Sequence, residues 1–165
     1  MGADIHMYLE KKVMVDEKET WVNADLYKKN EWYDGINKFE HQFIVQPFYW
    51  GRNYILFGIL AGVRNMQNIM ICEPKGLPDD VTPEVKDFFK EWEDDAHSYS
   101  YLTINEISDF LRTVPITRES NDPNDNPLKV LFERLVSRYN EEDWGSFEHG
   151  DENGDKFRTV FWFDN

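Results

Sequence analysis

The chain has 165 residues, a single cysteine and a formal net charge of -14, from 18 Lys and Arg against 32 Asp and Glu. So acidic a surface repels phosphate backbones, which excludes nonspecific binding to long nucleic acid. The lone Cys72 excludes an intramolecular disulfide and suits a reducing compartment.

At this length the chain is expected to form one domain over residues 1–165. Asp4 and His6 interrupt what would be the apolar part of a signal peptide. The longest apolar run, Tyr54 to Val63, is about half the ~20 residues of a spanning helix. The expectation is therefore a cytoplasmic protein with no membrane partner. Aromatic residues make up 16% of the chain, so its core should be built largely from rings.

In chain order, Ile5, Met7 and Leu9 alternate with Asp4, His6, Tyr8 and Glu10, the period of a half-buried strand. Its polar face is either solvated or one wall of a site. Trp21-Val22 suggests the start of a second strand, Asp34-Gly35 a turn, and Phe39 to Val45 a third strand ended by Gln46-Pro47. His41 reads as surface or filler. Tyr54, Leu56, Phe57, Leu60, Ala61 and Val63 then recur at helical spacing with little polar interruption, which predicts a helix buried on most sides. Gly58 and Gly62 would let another backbone approach it closely. Residues 68–72 suggest a short strand, and Glu73 to Asp80, with two prolines and a glycine, a stiff loop.

Thr82-Pro83 starts a helix whose inward face is Val85, Phe88, Phe89 and Trp92. Residues 94–102 form a loop or short strand. Thr103 and Glu106 match a capping box for a helix over 104–112. Residues 119–127 read as an exposed loop, followed by a helix over about 128–140 capped by Asn126. Asn153-Gly154 is a hairpin signal joining 146–152 to 155–163. Asp151, Asn153 and Asp155 resemble the opening of a calcium loop, but Trp162 stands where its final acid should be. The fold class is α+β, a small and mostly antiparallel sheet with about four helices and a C-terminal hairpin.

Two sets of residues could carry chemistry. Asp4-Ile-His6 and Asp95-Ala-His97 would converge if their strands lay side by side. Asp4, His6, Asp95 and His97 could then hold a divalent metal that activates water. Alternatively His97 acts as acid or base beside Ser98 or Tyr99; the competing reading is a histidine satisfied by its neighbouring aspartate. The second set is Arg52, Asn53, Tyr54, Arg64, Asn65 and Lys75 with Tyr99 and Tyr101. Guanidinium forks grip phosphates, amides read base edges and phenols stack on them, which suits a small phosphorylated ligand. Against this, arginines at helix ends often only pair with carboxylates.

Gly2-Ala-Asp-Ile-His6, Asn53 to Asn65, Glu73 to Asp79 and His97 to Thr103 together resemble blocks in a group of small phage and prophage proteins. The resemblance covers about a third of the chain and implies a phage accessory protein in the bacterial cytoplasm, with counter-defence as its expected setting. Three readings follow. The first is a binder of a small nucleotide-like ligand, with a homo-oligomer expected. The second is a metal-dependent hydrolase or phosphodiesterase using the Asp-x-His units. The third is an acidic nucleic-acid mimic that blocks a host defence protein.

Overall fold

The computed structural model describes residues 2–37, 41–114 and 126–165. Its strands are β1 (Asp4–Val15), β2 (Lys18–Asn23), β3 (Leu26–Lys29), β4 (Phe43–Gln46), β5 (His97–Thr103) and β6 (Phe157–Asp164). Its helices are α1 (Tyr54–Ala61), α2 (Pro83–Lys90), α3 (Ile104–Thr113) and α4 (Pro127–Tyr139). The α+β class, the mostly antiparallel sheet and the four helices are those the sequence predicts. The main sheet runs β2-β1-β6-β5, and β3 and β4 form a separate two-stranded ribbon. No helix among the described residues is long and apolar enough to cross a membrane.

The period of two in β1 sorts its side chains onto the two sheet faces. Ile5, Met7 and Leu9 join Phe157, Phe161 and Phe163 of β6 in a core that α1, α3 and α4 cover. Tyr8 lies on the opposite face with Val160 and Trp162, under Val85, Phe88 and Phe89 of α2. The polar row of β1 therefore meets a helix over much of its length and is not a solvated face. All the hydrophobic residues of β6 are buried, because β6 is central in the sheet and helices cover both its sides.

Local chemistry starts and stops the helices where the sequence places them. Asn53 accepts from the Leu56 amide at the head of α1, and Gly62, at φ 71, ends it in the left-handed conformation. Leu56, Phe57, Ile59 and Leu60 are each at most 1% exposed. The close approach at Gly58 comes from the following turn, since a Cβ there would lie 3.0 Å from the Asn65 Cα. Thr82 caps α2 with Pro83 in its first turn, Thr103 and Glu106 close a complete capping box on α3, and Asn126 caps α4.

Other segments differ from expectation. Residues 68–72 form no strand; the Ile71 amide instead donates to the Ile59 carbonyl at 2.8 Å, tying the segment to α1. Residues 146–152 carry no strand either. Asn153 and Gly154 turn the chain within a 3-10 turn, Glu152–Lys156, into β6, whose antiparallel neighbours are β1 and β5. The start of the strand expected from Phe39 and most of the loop expected over 119–127 lie outside the described residues.

Candidate functional site

Lys12, Glu10, Arg158, Thr103 and Tyr101 fall on the α2 side of the sheet. Lys12 is the cross-strand partner of Trp21, Glu10 of Arg158, and Arg158 of Thr103. Glu10 is fully buried and Arg158 is 4% exposed. The Arg158 Nε donates to Glu10 Oε1 at 2.8 Å, and its Nη1 to Asp80 Oδ1 at 2.9 Å. The other Glu10 oxygen accepts from the Thr82 amide at 2.7 Å, so the buried charges are hydrogen-bonded on both sides. This pairing also fixes the stiff 73–80 loop and the start of α2 against the sheet.

Around this pair, cations and rings alternate. The Arg158 guanidinium lies 3.8 Å from the centre of Trp21 and 5.4 Å from that of Tyr101. Lys12 lies 5.4 Å over Trp21, and Lys75 lies 4.5 Å over Tyr101. Lys12, Trp21, Arg158 and Tyr101 floor an open concavity of about 480 Å³, rimmed by Pro78, Asp79 and Asp80. That volume falls within the ~300–1,000 Å³ typical of ligand sites. Lys75 is held by Glu106 at 2.6 Å, whereas Lys12 makes no ion pair among the described residues.

The other predicted residues are dispersed. His6 Nε2 lies 2.9 Å from Asp164 Oδ2, and its ring lies against Trp92 at 4.2 Å and Trp162 at 5.8 Å. Next to it Arg52 forks onto Asp4, at 2.6 and 2.8 Å. That hydrogen-bonded guanidinium holds the Asp4 carboxyl below its ordinary range. His97 is on the opposite sheet face, because it pairs with Phe163 and Phe163 pairs with Ile5, not His6. Its Nδ1 lies 3.1 Å from Ser98 Oγ, in a β-bulge where Ser98 takes a φ of 52. Asp95 is exposed in the turn after α2.

The two Asp-x-His units therefore do not converge. β6 lies between β1 and β5, and the register aims the two imidazoles to opposite sides. Among the described residues no group of three or more His, Cys, Asp or Glu side chains is placed to hold a metal ion. Asp4, His6, Asp95 and His97 thus do not form the single set that the sequence suggests.

The cationic and amide set is divided in the same way. Asn53 is committed to capping α1, and the Asn65 Oδ1 accepts from the Ile69 amide at 3.2 Å. Arg64 stacks 4.5 Å over Tyr54, and both line a cavity of only about 50 Å³ with Asn65. That space suits a few waters, not a nucleotide. Tyr99 packs edge-on to Phe89, and its carbonyl accepts from the Gly76 amide. Of the expected ligand residues, Tyr101 lines the large concavity and Lys75 sits against its ring.

The sequence places Glu10 only in an alternation and gives Lys12, Trp21, Asp80 and Arg158 no site role. One signal is present: Arg158 is the lone cation in β6, Phe157–Asp164, whose other residues up to Phe163 are uncharged.

Fold and site together define an α+β protein whose central sheet carries a cation-and-ring floor behind a shaped loop. Comparison with protein-family models, curated proteins and solved structures finds no match.

Proposed function

We propose that this protein binds a small anionic ligand bearing a flat ring, of the nucleotide class, in the concavity over Lys12, Trp21, Arg158 and Tyr101. The observation that carries the reading is the alternation of cations and rings on that floor, in a molecule of net charge -14. Arg158 and Lys75 are engaged by carboxylates, which leaves Lys12 as the cation for a phosphate. Trp21 and Tyr101 offer ring edges and faces for a base. Asp79, exposed on the rim, can accept hydrogen bonds from sugar hydroxyls. In the phage setting implied by the resemblance, the ligand would be a host nucleotide signal and its capture an act of counter-defence. The metal-dependent route through converging Asp-x-His units has no comparable support.

Isothermal titration with a panel of nucleoside mono- and diphosphates and cyclic dinucleotides tests this. At least one member should bind without turnover. Lys12→Ala should weaken it about tenfold, the size of one lost charge-assisted contact. Arg64→Ala, outside the concavity, should leave binding unchanged. Failure of the whole panel to bind at millimolar concentration would reject the reading.

A further inference from the structure

Half of the large hydrophobic side chains that the described residues leave exposed fall between Leu26 and Ile44, in β3, β4 and the turn after β3. Single apolar side chains scattered over a surface need no explanation, but a concentration of them marks an interaction site. The register puts Leu26 and Ile44 on one face of the ribbon and Tyr27 and Phe43 on the other. Both faces stay exposed, so the ribbon does not bury its apolar side against its own sheet. Beyond the strand, Trp32 is 86% exposed and Ile36 83%. The turn that presents them is held in shape: Asn30 Oδ1 accepts from the Trp32 amide at 3.1 Å, and Asp34 Oδ1 from the Ile36 amide at 2.8 Å.

Charge sets the same segment apart. Within residues 26–46, Lys28, Lys29 and Lys38 balance Glu31, Asp34 and Glu40, so the net charge of -14 lies outside it. A basic partner would be drawn to that acidic remainder and not to a neutral ribbon. A partner that is itself acidic must come in through a neutral apolar patch of its own. A second copy of this chain has that patch, and a two-fold contact sets each patch against itself.

We propose that the ribbon is a dimerisation arm, clasped by the ribbon of a second copy about a two-fold axis. Leu26, Tyr27, Trp32, Ile36, Phe43 and Ile44 together expose on the order of 600 Å² of side chain, most of the ~800 Å² that each partner gives to a stable interface. The second ribbon also supplies what the first lacks. Each strand of the ribbon has one open edge, and two strands alone are marginal in water.

The test is sedimentation equilibrium across a concentration series, without nucleotide. The wild-type chain should be dimeric at about 50 µM. The dimer should tighten between low and physiological salt, because screening relieves the repulsion between two acidic bodies. Trp32→Ser combined with Ile36→Ser should raise the dissociation constant about a hundredfold. Far-UV circular dichroism should not change, since both side chains already stand in solvent. Met14→Ser, exposed at the far end of β1, should leave the dimer intact. Ribbon amides, fast to exchange in dilute protein, should slow as concentration rises in the wild type and not in the double variant. A monomer at about 100 µM would give the ribbon to a different partner and overturn the proposal. A dimer that survives the double variant, or one that salt loosens, overturns it equally. None of these readouts depends on the nucleotide titration.

Discussion

Glu10 and Arg158 form the most deeply buried ion pair among the described residues. Both are almost wholly buried; among the described residues Arg158 is the one cation paired with Glu10, while the guanidinium is shared with Asp80. Arg158→Met should destabilise the fold by about 3–5 kcal/mol, the usual result of leaving one buried charge alone. Adding Glu10→Gln should recover a large part of that loss, which denaturant unfolding of the two single variants and the double variant would measure. Asp25 poses a different problem. Burial pushes its carboxyl up to about 6, against hydrogen bonds from Asn23 and the Leu9 amide that act the other way. A raised acid stays protonated in the folded state after the unfolded chain has ionised. Stability is therefore expected to fall as pH rises from about 4 to 6, by on the order of 2–3 kcal/mol, and then level off. Asp25→Asn should flatten that slope in thermal melts across the range.

At the scale of elements, the β1–β2 hairpin turns through Asp16 and Glu17, whose φ values of 49 and 65 are both left-handed. This is the geometry of a type I′ turn, which favours glycine at its second position. Glu17→Gly should stabilise the protein by about 0.5–1 kcal/mol, read as a shift in denaturant midpoint without a change in slope. The capping box on α3 makes the opposite prediction. Thr103→Ala removes the acceptor for the Glu106 amide at 3.2 Å and should cost about 1 kcal/mol. The ribbon of β3 and β4 has Leu26, Tyr27, Phe43 and Ile44 all exposed by 39–54%. Two strands alone are marginal in water, so the ribbon should show the fastest amide exchange of any strand pair.

For the whole molecule, charge dominates. With a net charge of -14, self-repulsion opposes the compact state and salt screens it. Stability should rise as sodium chloride is raised from low millimolar to physiological strength, the reverse of a fold held by surface ion pairs. Most of the architecture was legible beforehand because its signals are local. The cap residues Thr82, Thr103 and Asn126 act within four positions of themselves, and the alternation of Ile5, Met7 and Leu9 needs only a strand period. The site was far less legible. Glu10 and Arg158 are 148 residues apart, and nothing near either names the other. Their meeting depends on β6 entering the sheet beside β1. The same insertion separates His6 from His97 and aims them to opposite faces, since register alone decides which side each residue takes. The helices, their caps and the alternation of β1 thus follow from short-range chemistry along the chain, whereas residues 68–72 and 146–152, read locally as strands, form none. Which charges pair and which rings stack on them are settled by strand order and register, and those exist only once the chain has folded.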